Sequence, residues 1–223
     1  MRSNDERYGA LRQRVLDACL VMVRQGLVTG TSGNISARDS GADWVAVTPS
    51  GVPYDGMTPE DICIVDLLGR PIDGRHRPSS ETPMHTLIYR ELPGVLGVVH
   101  THSPYALAFA VVGRPIPPVC IEAIVSGTGI PVAQYALPST EDIGRSALAA
   151  LGSHHKAVLL QNHGVLTIGK DVEEAMALAC KVEEAARVYH LALVVGEPVV
   201  LSDEQLREIA SLRRKKASVP SST

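Results

Sequence analysis

Polar side chains flank an apolar run in the middle of the chain. Glu81 follows the serine pair Ser79 and Ser80, and the run ends at His100 and His102. Residues i and i+2 of an extended chain project from the same face, so the two imidazoles are directed at one point. Imidazole nitrogens are common ligands of Zn²⁺, which prefers tetrahedral coordination. The spacing therefore predicts a divalent-metal site at the end of a strand.

A third imidazole would make this a catalytic metal site, because three protein ligands leave one coordination position open. His163 is the best candidate. It lies in Asn162-His163-Gly164 between two apolar segments, where a glycine lets the backbone approach closely. We interpret the remaining histidines as solvated, surface or packing residues: His76, His85, His154, His155 and His190.

Chemistry at such a site also needs a group that moves protons. A metal can polarise a carbonyl and stabilise an enolate, but a general acid or base must take up or deliver the proton. Glu81 is the predicted group, since it stands directly after Ser79 and Ser80. An alternative interpretation is that Glu81 only stabilises the start of a helix, where the helix dipole favours negative charge.

Three short stretches of small residues have the composition of an anion-binding site. Backbone N–H groups freed by glycine, together with hydroxyl groups, bind phosphate oxygens without a lysine. Ordinary turns would explain any one stretch alone, but together with a metal site they predict a phosphorylated substrate. The stretches are Thr31-Ser32-Gly33-Asn34, Ser50-Gly51 and Ser79-Ser80.

Strands and helices alternate around these residues, which predicts a mixed sheet covered by helices. Helical spacing of apolar residues and capping residues predicts helices over residues 6–25, 104–112, 139–151, 171–195 and 202–213. Apolar runs bounded by turn residues predict strands over 44–48, 62–66, 95–99, 157–160 and 165–168. Residues 29–36 are interpreted as a loop, and glycines and prolines mark hairpin turns in the first third of the chain.

The composition predicts one globular domain, residues 1–214, followed by a flexible tail, residues 215–223. A net charge of −3 gives no basic surface, so we expect no nucleic-acid partner. No apolar run approaches the length of a membrane span, and charged residues interrupt the first 25 residues, so we expect neither a membrane anchor nor a secretion signal. The four cysteines are far apart and predict reduced thiols in a cytoplasmic protein.

The order of motifs along the chain resembles the class II aldolase/adducin family, and within it most closely the L-fuculose-1-phosphate aldolase branch. The similarity extends from about Leu11 to Ala192. The motifs that carry it are Gly33-Asn34-Ile35-Ser36, Pro49-Ser50-Gly51, Pro78-Ser79-Ser80-Glu81-Thr82-Pro83, His100-Thr101-His102 and Asn162-His163-Gly164.

This resemblance implies a Zn²⁺ ion, or another divalent cation such as Mn²⁺ or Co²⁺, held by His100, His102 and His163. Glu81 would ligate the resting metal and then leave it to act as acid and base. The resemblance also implies an α/β fold of three layers, with a central, mainly antiparallel sheet flanked by helices. It implies a homotetramer with active sites between subunits, and a phosphate site formed by Thr31, Gly33, Asn34, Ser50, Gly51, Ser79 and Ser80.

The implied reaction is retro-aldol cleavage of a ketose 1-phosphate, either L-fuculose 1-phosphate or a related deoxy sugar phosphate, into dihydroxyacetone phosphate and an aldehyde. Three relatives with other functions remain as alternatives: a sugar-phosphate 4-epimerase, in which aspartate usually replaces Glu81, a methylthioribulose-1-phosphate dehydratase, and a non-catalytic adducin-like scaffold. The fuculose enzymes place a tyrosine near the position of Val119–Ala123, where this chain has none. Glu122 is a candidate for the missing acid, or an inert loop residue.

Overall fold

A computed structural model describes residues 4–124 and 128–217. Its helices are α1 (Asn4–Arg24), α2 (Thr82–Glu91), α3 (Pro104–Val111), α4 (Glu141–Leu151), α5 (Val172–Val195) and α6 (Asp203–Ala217), and a short 3₁₀ helix spans Pro59–Asp61. Its strands are β1 (Asn34–Ala37), β2 (Trp44–Val47), β3 (Cys63–Asp66), β4 (Pro71–Asp73), β5 (Gly97–Thr101), β6 (Val132–Ala133), β7 (Ala157–Leu160) and β8 (Gly164–Gly169).

The eight strands form one sheet in the order β4-β3-β2-β1-β5-β8-β7-β6. The pair β6 and β7 is parallel and the other six pairs are antiparallel. The first four strands form an antiparallel meander, as the turn residues in the first third of the chain predict. The predicted mainly antiparallel sheet is thereby confirmed.

Helices cover both faces of the sheet, which gives the predicted three layers. Neighbouring residues of β5 show the separation, because successive side chains of a strand point to opposite faces. Val99 packs in the cluster that contains buried residues of α1 and α5. Val98 packs in the cluster that contains residues of α2 and α4. The face of the sheet that carries Val98 is also the face from which α2 approaches the candidate site.

The sequence interpretation was wrong for residues 34–37, which were assigned in part to a loop and form β1. The segment Asn34-Ile35-Ser36-Ala37 is short and half polar, so it lacks the apolar run of a buried strand. All four residues are nevertheless buried, because β1 lies between β2 and β5 in the centre of the sheet. Residues 215–217 of the predicted tail continue α6, and residues 218–223 lie outside the described residues.

No helix in the described part of the chain combines the length and the apolar character needed to cross a bilayer.

Candidate active site

The candidate site lies at the end of the sheet where β5 ends and its two neighbours begin. Both neighbours run antiparallel to β5, and His100 is paired with Asn34 of β1 and with Leu166 of β8. The residue after β5 is His102, and the residue before β8 is His163. Antiparallel pairing therefore brings the two histidine segments, 61 positions and more apart in sequence, to the same edge of the sheet.

The three imidazoles that the sequence singled out converge at this edge. Their ring centroids are 4.9 Å apart for His100 and His102, 4.7 Å for His100 and His163, and 5.2 Å for His102 and His163. One ring nitrogen of each lies within 4.8 Å of the other two. The Nε2 atoms of His100 and His102 are 3.0 Å apart. The structure thus forms a cluster of three nitrogens that can hold a metal ion.

The hydrogen bond of His100 fixes which of its nitrogens faces the cluster. Its Nδ1–H donates to the backbone carbonyl of Val165 at 2.9 Å, so Nε2 is left without a proton in the neutral ring. Complete burial lowers the pKa of His100 to about 3, which keeps the ring neutral. A backbone carbonyl that accepts from the second nitrogen is the usual way in which a metal-binding histidine is oriented.

Gly164 is the reason that the two histidine segments can come so close. A Cβ atom at this position would lie 2.3 Å from the Thr101 carbonyl oxygen, 3.0 Å from Cε1 of His100 and 3.1 Å from Cδ2 of His102. Asn162 has a φ of 58°, in the left-handed region that tight turns use. The close approach expected from Asn162-His163-Gly164 is therefore present, and a side chain at Gly164 would displace backbone as well as two imidazoles.

We expect Gly164→Ala to destabilise the protein by about 3 kcal/mol, because overpacking against backbone forces β5 and β8 apart. Any affinity of this cluster for a divalent metal ion should fall as well, since His100 and His102 must move. Thermal unfolding and competition with a metal chelator measure the two effects. The matched control is Gly9→Ala, where a Cβ in α1 meets nothing within 4 Å and alanine favours the helix. A Gly164→Ala protein with wild-type stability and metal affinity would contradict this reading of the turn.

Glu81 completes the cluster from the helix side. It is the residue before α2, but its side chain makes no capping hydrogen bond to that helix. Its Oε2 atom is 3.1 Å from Nε2 of His100 and accepts from the side-chain amide of Asn34 at 3.1 Å. Its Oε1 atom is 3.4 Å from Nε2 of His163. Of the two interpretations of Glu81, the geometry favours a role at the cluster over one as a helix cap.

The charge state of Glu81 follows from its neighbours. Burial raises the pKa of this carboxyl, whereas positive charge at the positions of His100 and His163 and the hydrogen bond from Asn34 lower it, and the net result is a lowered pKa. The side chain is only 6% exposed, so a carboxylate lies almost completely buried among ring nitrogens. A buried carboxylate of this kind needs a positive partner close by.

A divalent cation fits the donors that the cluster presents. Neutral His100 turns a lone pair towards Oε2 of Glu81, so two acceptors face each other at 3.1 Å. Oε1 of Glu81 is buried and has no hydrogen-bond partner among the described residues. Zn–N bonds of about 2.0 Å in a tetrahedral site place ligand nitrogens about 3.3 Å apart, close to the 3.0 Å between His100 and His102. The donor set therefore fits a divalent metal ion.

A cavity opens beside the cluster, and all seven residues of the predicted phosphate site line it: Thr31, Gly33, Asn34, Ser50, Gly51, Ser79 and Ser80. Glu81, His102 and His163 line the same cavity. Backbone hydrogen bonds join two of the loops, from Ser50 N–H to the Arg77 carbonyl at 2.8 Å and from Ser79 N–H to the Thr48 carbonyl at 2.9 Å. None of the described side chains that line the cavity is a lysine or an arginine.

Sequence reasoning missed several residues at the site. Pro138 and Ser139 line the cavity from the loop before α4, and Ser139 has a φ of 65°. In the sequence these residues stand at the start of a helix-capping pattern. They are also far along the chain from most other residues of the cavity, so nothing in the sequence marked them as site residues. His85 is completely buried and hydrogen-bonded to Asn34. Glu122, the candidate for a missing acid, is not among the described residues that line this cavity.

Comparisons with known proteins agree with this geometry. Residues 13–190 match the sequence model of a family described as Class II Aldolase and Adducin N-terminal domain. The solved structure of an L-fuculose 1-phosphate aldolase superposes with a TM-score of 0.87 at 32% identity, covering 96% of this chain and 98% of that one.

Curated relatives of similar identity carry different names. The L-fuculose phosphate aldolase of Escherichia coli (strain K12) is 37% identical over 88% of this chain and 90% of its own. The 5-methylthioribulose-1-phosphate/5-deoxyribulose-1-phosphate aldolase of Rhodospirillum rubrum is 37% identical over 90% and 89%. An L-ribulose-5-phosphate 4-epimerase of Salmonella paratyphi A is 37% identical over 92% and 94%.

Proposed function

This chain belongs to the class II aldolase and adducin family, and on that premise we propose that it is a metal-dependent aldolase acting on a ketose 1-phosphate. The products are dihydroxyacetone phosphate and an aldehyde. One observation carries the proposal: the Glu81 carboxylate faces three convergent imidazoles at the edge of a cavity lined by hydroxyls and glycines. That arrangement combines a metal site, a proton-transfer group and an anion site along one cavity.

His100, His102 and His163 hold the metal in this proposal, and Glu81 completes the resting site. The metal is Zn²⁺, or Mn²⁺ or Co²⁺ in its place. When bound, such an ion polarises a carbonyl and stabilises the negative charge that carbon–carbon cleavage leaves on the substrate. The near-complete burial of His100 and Glu81 strengthens this electrostatic effect, because little water screens it.

The loops of the cavity bind the substrate phosphate. Thr31, Ser50, Ser79 and Ser80 supply hydroxyls, Asn34 supplies a side-chain N–H, and the glycines leave backbone N–H groups accessible. Neutral donors suffice here, since hydrogen bonds to a charged oxygen are about twice as strong as those between neutral groups. Anchored in this way, the sugar places its carbonyl next to His102 and His163.

Cleavage breaks the C3–C4 bond and leaves its electron pair on the dihydroxyacetone phosphate fragment. Net, one proton leaves the C4 hydroxyl, as that carbon becomes an aldehyde, and one proton is added to C3. Glu81, a carboxylate at rest, would take up a proton during cleavage and deliver it to C3, and in the synthetic direction it would remove that proton. The carboxylate lies within hydrogen-bond reach of the cluster and beside the cavity, as a general acid and base requires.

The aldehyde half of the substrate is a short deoxy or methylthio chain in this proposal. The tyrosine that fuculose enzymes use at this half is absent between Val119 and Ala123, and relatives named for 5-deoxyribulose and 5-methylthioribulose phosphates are as similar as the fuculose enzyme.

The proposed assembly is a homotetramer with active sites between subunits. Strongly exposed apolar side chains at the end of α5, Val194 and Val195, support an interface there.

A 4-epimerase is the second candidate, because an epimerase is as similar to this chain as the aldolases are. The glutamate at position 81 argues against it, since the resemblance associates aspartate at this position with the epimerase branch. A methylthioribulose-1-phosphate dehydratase and an adducin-like scaffold remain as further outcomes of the test.

Two measurements on the wild-type protein test the proposal. Elemental analysis after purification without added metal should find one divalent ion per chain, whereas a scaffold protein would contain none. Incubation with L-fuculose 1-phosphate, 5-deoxyribulose 1-phosphate, 5-methylthioribulose 1-phosphate and L-ribulose 5-phosphate should release triose phosphate from at least one ketose 1-phosphate. An isomer as the product would establish the epimerase instead, and a dehydrated ketone would establish the dehydratase.

A further inference from the structure

Five polar side chains form a continuous hydrogen-bonded chain from the candidate site into the protein interior. Each is at most 7% exposed, and the successive distances are 3.1, 2.6, 2.6 and 2.9 Å. In order they are Glu81, Asn34, His85, Ser36 and Tyr89. The proposed reaction uses the first two, and so far it assigns nothing to the other three.

The hydrogen-bonded row forms because the residue spacing along α2 matches the residue spacing along β1. Glu81, His85 and Tyr89 are four residues apart at the start of α2 and along it, which is about 6 Å along a helix axis. Asn34 and Ser36 are two residues apart on β1, which is about 6.7 Å along a strand. The two rows therefore interleave, and His85 lies between Asn34 and Ser36.

The direction of each hydrogen bond near the site is determined by its partners. A carboxylate only accepts, so Asn34 must turn its Nδ2 donors to Glu81 and its Oδ1 to His85. That oxygen also only accepts, so Nε2 of His85 must carry a proton. A rotated amide would place two acceptors together at Glu81 and two donors together at His85.

The interior half of this hydrogen-bonded row, Ser36 and Tyr89, determines whether the other ring nitrogen of His85 donates or accepts. Burial lowers the pKa of His85 to about 4, so the ring is neutral near pH 7. With the proton on Nε2, Nδ1 accepts from the Ser36 hydroxyl, and Ser36 accepts in turn from the Tyr89 hydroxyl. The tautomer of His85 is thus held from both sides.

We propose that His85 is a positioning residue: it locks the side-chain amide of Asn34 so that one N–H holds the Glu81 carboxylate and the other faces the cavity. The inference rests on the proposed function, in which Glu81 transfers a proton and Asn34 lies at the phosphate. The His85 side chain does not itself line the cavity, and its two hydrogen bonds go to Asn34 and Ser36 rather than to the three imidazoles. It acts by removing the freedom of Asn34 to rotate.

The kinetic test compares His85→Leu with His85→Gln on the ketose 1-phosphate that the wild type cleaves. Leucine removes both hydrogen bonds, and kcat should fall about 100-fold, the loss that a displacement of about 1 Å of a catalytic group causes. Glutamine can donate to Asn34 and accept from Ser36, so it should restore most of the activity. Metal content should remain at the wild-type level in both variants.

A matched control separates positioning from a general loss of stability. Thr167 is completely buried and donates to the Ala175 carbonyl at 2.7 Å, on the side of α5. Thr167→Val therefore also removes a buried hydrogen bond, and its kcat should stay close to wild type. Equal losses in Thr167→Val and His85→Leu would overturn the proposal. The proposal would also be overturned if His85→Leu lowered kcat by the same factor in an Asn34→Leu protein as in the wild type, since His85 would then not act through Asn34.

A measurement without turnover keeps the two proposals distinguishable. Nitrogen NMR of the isotope-labelled wild-type protein should show His85 with its proton on Nε2, and the Asn34 side-chain amide should be protected from hydrogen exchange. A proton on Nδ1 instead, or an unprotected Asn34 amide, overturns the positioning role even if the enzyme is an active aldolase or His85→Leu does not fold. A wild type that cleaves none of the ketose 1-phosphates contradicts the proposed function, and the NMR result still decides the role of His85.

Discussion

Glu81→Gln is expected to abolish carbon–carbon cleavage while the metal stays bound. The substitution keeps the size of the side chain and removes its ability to exchange a proton, so kcat should fall about 1,000-fold, within the range of general acid–base catalysis. The three imidazoles are unchanged, so the metal remains. The direct measurement is exchange of the C3 proton of dihydroxyacetone phosphate with solvent, followed by NMR, with metal content determined on the same sample.

The matched control for this variant is Glu173→Gln, which removes a carboxylate that pairs with Arg14 on the protein surface. Its exchange rate should equal that of the wild type. Full proton exchange in Glu81→Gln would show that another group moves the proton, and Glu122→Gln would then be the next variant to examine. Loss of the metal from Glu81→Gln would instead show that the carboxylate acts mainly as a ligand.

The parts of the site that the sequence could predict are those set by local geometry. His100 and His102 are two residues apart at the end of a strand, so their common direction follows from extended backbone geometry. Gly164 marks a close approach because only a residue without Cβ fits there. The long helices follow from regular apolar spacing, as in Val172–Val195. For the two histidines and the helices the structural cause lies within a few residues of its effect, whereas Gly164 marks only one side of its contact, since His100, Thr101 and His102 lie far away along the chain.

The parts that sequence reasoning missed depend on pairing between distant segments. β1 has only two apolar residues in four, and its burial comes from its place between β2 and β5 rather than from its composition. His85 has the local pattern of a packing residue, and its meaning appears only when α2 is laid over β1. Pro138 and Ser139 reach the cavity through the docking of α4. A single sequence does not contain the register of such contacts.

The second large effect is expected for His163→Ala, because this variant lacks the third imidazole and metal binding itself should be disrupted. Removal of one of three nitrogen ligands should leave the cavity loops intact. Changes in outer-shell partners alone can lower metal affinity by about 100-fold, so we expect the loss of a ligand to lower the apparent affinity for Zn²⁺ by more than that. Turnover should fall with it. The measurement is thermal unfolding with and without Zn²⁺, because an ion that binds only the folded state raises the midpoint.

A control histidine and the metal-free protein decide how this result is interpreted. His154 lies on the surface in the loop after α4, so His154→Ala should respond to Zn²⁺ as the wild type does. Wild-type protein stripped with a chelator should resemble His163→Ala with Zn²⁺ present, since both lack the bound ion that compensates the Glu81 carboxylate. If Zn²⁺ stabilised His163→Ala as strongly as the wild type, the three imidazoles would not form the metal site. The Glu81 carboxylate would then lie buried for a reason other than metal-dependent cleavage.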